Sequence, residues 1–147
     1  MLYCKKMDSN AKLPTVAHPD EDLGFDIYSI ETVILEKNKV AKIRTGIAAR
    51  YVESPFDKNF GLIIKDRSSL AAKNITVSGG VVDAGYAAEI LVLLTNHNDE
   101  PYTINNGDKI AQLIPIEVKT KDGVYEVWME HLPESERGIK GFGSTGK

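Results

Sequence analysis

The chain has 147 residues, a formal net charge of −3, 42% hydrophobic and 27% charged side chains, and one cysteine. That length suits one domain, burying roughly two-thirds of the surface an unfolded chain exposes. The balance excludes an intramolecular disulfide framework and the polycationic footprint of a duplex nucleic-acid binder, and no apolar run reaches the roughly 18 residues of a spanning helix.

His18, His97, His131 and Cys4 show no zinc spacing. The start, Met1-Leu2-Tyr3-Cys4-Lys5-Lys6, carries no apolar leader segment. A cytoplasmic protein is therefore expected, nuclear if eukaryotic or viral, with neither nucleic acid nor membrane as partner.

The predicted elements are short strands. Leu23–Ser29 alternates and is entered by Gly24, and Val33–Leu35, Val40–Arg44, Ile47–Val52 and Phe60–Ile64 are apolar or β-branched stretches. A helical turn is expected over Ser68–Lys73, capped by the hydroxyl of Ser68 or Ser69. Ser78-Gly79-Gly80-Val81-Val82-Asp83-Ala84-Gly85-Tyr86 reads as an irregular hairpin. Glu89–Asn96 is a near-continuous apolar run suited to a buried strand, and Lys109–Val118 is another, with Pro115 pointing to an edge or bend. Val124–Trp128 makes a further strand. Turn signals at Asn38-Lys39, Ser54-Pro55, Asn105-Asn106-Gly107-Asp108 and Asp122-Gly123 separate them. The pattern predicts an all-β sandwich or barrel with one short helix. Residues 1–136 form the packed domain and 137–147 a glycine-rich arm, disordered unless a ligand orders it.

Four segments and the arm carry chemistry. Gly79-Gly80 lets backbone approach a flat ligand. Asp83, the one carboxylate of that segment, fits either a turn cap or a group that holds a water. Arg67, Ser68 and Ser69 at the start of the helical turn suit an anion. Gln112 is a polar residue in an apolar strand, on the face opposite Ala111 and Leu113, which is either solvent-facing or functional. Asp26 suits a cation or an arginine. In the arm, Arg137 forks onto phosphate, Phe142 offers a stacking face, and Gly143, Ser144 and Thr145 offer backbone and hydroxyl donors to oxyanions.

In this order, Gly24-Phe25-Asp26-Ile27-Tyr28, Arg67-Ser68-Ser69, Gly80-Val81-Val82-Asp83-Ala84-Gly85-Tyr86, Gly107-Asp108-Lys109-Ile110-Ala111-Gln112-Leu113-Ile114 and Arg137-Gly138-Ile139-Lys140-Gly141-Phe142-Gly143-Ser144-Thr145-Gly146 closely resemble the five motifs of the trimeric dUTPases. The resemblance runs from about residue 23 to 146. It implies a jelly-roll-like β-clip fold and a homotrimer with active sites shared between subunits. The implied reaction is Mg²⁺-dependent hydrolysis of dUTP to dUMP and pyrophosphate, which keeps uracil out of DNA and supplies dUMP for dTMP synthesis. Asp83 would activate water for attack on the α-phosphorus. Val77–Val82, with Gly80, Val81 and Val82, would read uracil by backbone pairing. Tyr86 and Leu91 would hold the nucleoside, with Tyr86 against the deoxyribose. Arg67, Ser68, Ser69 and Gln112 of a neighbour would take the phosphates. The arm would close with Phe142 on uracil and Arg137 on the γ-phosphate, and Asp26 would reach Mg²⁺ through water.

Three residues depart from the family pattern. Asp66 stands where proline is frequent and is expected to point outward or pair with Lys65 or Arg67. Ala87-Ala88 replaces Arg-Gly and alters the segment's exit. Lys109 replaces a more usual arginine. Two alternatives bear on the same residues. A dCTP deaminase of this superfold would carry a glutamate ten residues after Asp83, where this chain has Leu93. A nucleotide-sensing module would bind without hydrolysis.

Overall fold

In the computed structural model of the chain, residues 1–53, 59–120 and 123 are described. The elements in chain order are β1 (Leu2–Lys6), β2 (Phe25–Tyr28), β3 (Val33–Leu35), β4 (Val40–Arg44), β5 (Ile47–Tyr51), β6 (Phe60–Lys65), α1 (Ser68–Ala71), β7 (Ile75–Val77), β8 (Val81–Val82), β9 (Leu91–Asn96), β10 (Tyr102–Ile104) and β11 (Lys109–Glu117). They build four small sheets: β2-β11-β6-β8, β4-β9-β7, β1-β5 and β10-β3. Every strand pair is antiparallel. The result is the all-β, jelly-roll-like architecture expected, with α1 its single helix among the described residues.

Alternation along the strands sorts core from surface. On β11, Ile110, Ala111 and Leu113 are fully buried, and they join Ile27, Ile43, Ile75, Val92, Leu94 and Ile104 in one apolar core. Pro115, which has no N–H to donate, sits where β11 has outrun β2 and has β6 as its strand neighbour. At the end of β9, the buried Asn96 side chain donates to the carbonyls of Leu35 and Glu100 at 2.9 and 2.8 Å and accepts from the Asn98 N–H at 3.0 Å. The polar end of an apolar strand is thereby satisfied.

Two local expectations are corrected. The helix is capped by Arg67 in extended backbone, with no side-chain cap bond, rather than by Ser68 or Ser69. The segment around Gly79-Gly80 is a crossover between sheets rather than a hairpin: β7 pairs with β9, while β8 pairs with β6. Short β1, β7, β8 and β10 were not anticipated as strands; β1 pairs along its whole length with β5. The expected strand Val124–Trp128, the turn at Ser54-Pro55 and the arm at 137–147 lie outside the described residues.

Leu113 is fully buried between β2 and β6. Leu113→Ala should lower unfolding free energy by about 3 kcal/mol through lost transfer energy and the cavity left behind. Urea denaturation at fixed protein concentration measures it, and an unchanged midpoint would contradict this placement of the core.

Candidate active site

Cross-strand register assembles the first half of the site. Gln112 on β11 lies opposite Asp26 on one side and Lys65 on the other. Opposed residues of an antiparallel pair share a face, so these three form a row on the outer face of the sheet while Ile27, Ala111, Leu113 and Ile64 point into the core. Gln112 is half-buried and donates its side-chain amide to the Asp66 carbonyl at 2.8 Å. That engaged, central position replaces a plain solvent-facing role.

Asp26 is the hub of the row. One carboxylate oxygen accepts from Arg67 Nε at 2.9 Å and the other from Lys109 Nζ at 2.8 Å. Arg67 also reaches the Ser69 hydroxyl and the Lys109 carbonyl, each at 3.4 Å. The hydrogen bond to Asp26, reinforced by its charge, holds the Lys109 ammonium above the ordinary lysine range. Arg67, Ser69, Lys73, Tyr102 and Lys109 line a groove of about 320 Å³ together with Asp108 and apolar neighbours. Lys73 lies 5.5 Å from the centre of the Tyr102 ring, which steadies it by cation–π attraction. Ser68, the first helical residue, is exposed at this end. Three cations against Asp26 and Asp108 make a groove suited to an anion.

The second half is a cavity of about 190 Å³ walled by Ile64, Val77, Gly80, Val81, Val82, Tyr86, Leu91 and Leu93. It is smaller than the roughly 300–1,000 Å³ of drug-sized ligand sites and suits one base and its sugar. Gly80 is required there. Its φ is +135°, and a Cβ would meet the Ile64 carbonyl oxygen at 2.6 Å. The N–H groups of Gly79 and Gly80 and the carbonyls of Ser78 and Gly79 find no hydrogen-bond partner among the described residues. They leave donors and acceptors for a planar ligand beside apolar walls.

Asp83 follows Val82 directly. Its carbonyl closes a turn by accepting the Tyr86 N–H at 2.9 Å, while its carboxylate is exposed and without a partner among the described residues. The turn role therefore belongs to the backbone, and the side chain remains available. The Tyr86 hydroxyl donates to the Glu89 carbonyl at 2.9 Å, spanning Ala87-Ala88. Glu89 accepts in turn from the Gly46 N–H and from Arg44. Those bonds fix the exit that the two alanines had put in question.

The structure gathers Gly80, Val81, Val82, Tyr86 and Leu91 in the cavity, and Arg67 and Ser69 in the groove; the two halves share no wall residue within one chain. Sequence reasoning missed Ile64 as a wall and Tyr102 in the groove, which sheet packing brings in, and Lys73, which the turn after α1 places beside Ser69. Arg137, Phe142, Gly143, Ser144 and Thr145 lie outside the described residues.

A crossover with free backbone groups beside an apolar cavity, next to a carboxylate without a partner among the described residues and apart from a cationic groove, suits a β-protein that binds a nucleotide. The dUTPase family model matches residues 9–146. A deoxyuridine 5'-triphosphate nucleotidohydrolase of Clostridium tetani is 44% identical, over 99% of this chain and 97% of its own length. One from Alkaliphilus metalliredigens is 39% identical, over 99% and 96%. Among solved structures, the Staphylococcus bacteriophage 80alpha dUTPase with dUpNHpp superposes with a TM-score of 0.81 at 27% identity, covering 100% of this chain and 99% of that one. The chain belongs to the dUTPase family, and its activity is hydrolysis of dUTP.

Because the ion pair holds its pKa up, Lys109 contributes stability that is fully present below the unfolded lysine value and is lost as pH rises through the elevated folded value. Thermal midpoints of wild type and Lys109→Met should therefore converge in strongly alkaline solution, with the wild type higher at neutral pH. A gap independent of pH would sink this account.

Proposed function

We propose that Asp83 activates the water that attacks the α-phosphorus of dUTP, in a site completed between copies of a homotrimer. The carrying observation is the exposed Asp83 carboxylate, without a partner among the described residues, one residue beyond the cavity wall at Val82. Water oxygen bonds to the α-phosphorus, its proton passes to Asp83, and the bond from the α-phosphorus to the bridging oxygen breaks, giving dUMP and pyrophosphate. The free backbone groups from Ser78 to Gly80 pair with the uracil edge and mismatch cytosine. The close approach of Gly80 to Ile64 leaves that backbone nowhere to retreat from the methyl group of thymine. Tyr86, tied to Glu89, lies against the sugar and leaves no space for a 2′-hydroxyl.

Arg67, Ser68, Ser69 and Gln112 of a neighbouring copy hold the phosphates, which suits two half-sites with no common wall residue. Residues 137–147 close over the ligand, with Phe142 on the base and Arg137 on the γ-phosphate. The described residues fit a magnesium carried in by the triphosphate rather than one caged by protein. No group of three His, Cys, Asp or Glu among them could hold a cation, and both Asp26 oxygens already accept from cations. Asp26 would touch its hydration shell only. A magnesium bound that way would supply positive charge to offset the charge developing on the leaving pyrophosphate. The product serves dTMP synthesis, and the reaction keeps uracil out of DNA.

Leu93 in the cavity wall is aliphatic where a deaminase would place its glutamate, which speaks against ammonia release.

Pyrophosphate release should be fast from dUTP and weak from dCTP, dTTP and UTP; equal turnover of all four would end the uracil assignment. Asp83→Asn should cut kcat by about 10²-fold or more while a non-hydrolysable dUTP analogue still binds, because the pocket stays and water activation goes. Near-normal turnover in that variant would remove Asp83 as the base.

A further inference from the structure

Three residues at the end of β6 and just beyond it grip different things. Ile64 donates its N–H to the Gly80 carbonyl at 2.7 Å. Asp66 accepts the Val77 N–H on a carboxylate oxygen at 2.5 Å, and its own carbonyl is held by Gln112 at 2.8 Å. Arg67 is fastened to Asp26. The segment Ser78-Gly79-Gly80, which reaches the cavity wall at Gly80, is therefore bracketed. Its exit is tied to Ile64, and its entry is held twice: Ser78 donates its N–H to the Leu93 carbonyl at 2.8 Å and shares a hydroxyl hydrogen bond with Thr95 on the β9 side, while Val77 on the opposite edge is tied to Asp66.

The exit contact is backbone to backbone and is available to any residue at position 64. The contact at Val77 needs an acceptor on the side chain of residue 66. Val77 ends β7, and the two glycines that follow have φ of +101° and +135°, so the chain supplies little stiffness of its own there. A charge-assisted bond to a backbone N–H in a half-buried place is about twice as strong as a neutral one.

We propose that Asp66 is a positioning residue for base recognition: its carboxylate sets where the uracil-reading backbone of Ser78–Gly80 stands. This rests on the reading of that segment as the part that meets the base. Asp66 touches neither substrate nor reacting atoms in this role. It acts through Val77.

The test compares wild type, Asp66→Ala and Asp66→Asn in the full chain. Asp66→Ala should raise KM for dUTP about tenfold and lower the preference for dUTP over dTTP and dCTP by a similar factor, since a net hydrogen bond to a charged group carries that much. Its kcat at saturating dUTP should stay within about threefold of wild type, a change under 1 kcal/mol in the barrier. Asp66→Asn keeps an acceptor oxygen and should recover most of the loss. Hydrogen exchange at the Val77 amide, read without substrate, should speed up in Asp66→Ala and return towards wild type in Asp66→Asn. Unchanged exchange at Val77 overturns the anchoring and leaves the base-reading segment untouched. Faster exchange with unchanged KM and unchanged discrimination overturns the proposal by removing the base-reading role from this segment. A fall in kcat alone, or a loss that asparagine does not restore, also overturns it.

Discussion

The bond from the Ile64 N–H to the Gly80 carbonyl extends the β6–β8 ladder by one step, beyond Ile63↔Val81 and Leu62↔Val82. It brings two backbones so close that a methyl group at position 80 would collide with a carbonyl, an atom that side-chain motion cannot relieve. Ordering a glycine costs roughly 0.5–1 kcal/mol more than ordering an alanine, and two stand in succession here. The ladder step and the Asp66 anchor offset that cost. What they secure is a stretch of backbone whose free N–H and C=O groups have no partner among the described residues, next to apolar walls, an arrangement that folded proteins ordinarily avoid. Strand β6 can hold it because its other edge is locked along its whole length against β11.

The Asp26 carboxylate, behind two cations of a groove suited to an anion, looks counterproductive in a chain that already carries a net charge of −3. Magnitudes resolve this. Immobilising an arginine or a lysine side chain costs up to about 1.5–2 kcal/mol each in rotamer entropy. Ion pairs near a surface return about 0–1 kcal/mol, more with partial burial and good geometry. Asp26, at 21% exposure, with Arg67 at 29% and Lys109 at 36%, therefore adds at most a modest stability gain, and that gain is not its main contribution. Its contribution is placement: two long cations are held beside the groove before an anion arrives, so less ordering remains to be done on binding. One negative charge against two positive ones leaves the local field favourable to a polyanion.

Much of this was legible in the order of residues. Strands β3 and β4 were predicted with the bounds observed, and Gly80, Val81, Val82 and Tyr86, which the resemblance grouped, line one cavity. What escaped depends on register. Strand β7 is three residues long and exists because β9 pairs with it; β1 mixes lysines into a period-2 pattern whose apolar members, Leu2 and Cys4, pack on the core. The partner of Asp66 was sought among its sequence neighbours. In extended backbone, adjacent side chains point to opposite faces, which turns Lys65 away, and Arg67 is already engaged by Asp26. The acceptor then meets a backbone N–H eleven positions along the chain, contributed by a strand of another sheet. No local pattern encodes such a contact.

The short span from Ile64 to Arg67 joins the two half-sites within each chain. Ile64 is a wall of the nucleoside cavity and Arg67 of the anion groove, only three residues apart, or about 10 Å of extended chain. In the homotrimer proposed above, those two surfaces belong to different active sites. Asp66 stands between them, with its carbonyl held by Gln112 on the groove side and its carboxylate on Val77 on the cavity side. A connection through one residue's peptide and side chain has little slack, because both ends are hydrogen bonds to strands already fixed in sheets. A shift of Gln112 on meeting phosphate would therefore be felt at Val77 rather than absorbed by a loop. Proline at that position would lack the carboxylate and so the second grip, and the same fold would then hold its two half-sites more independently.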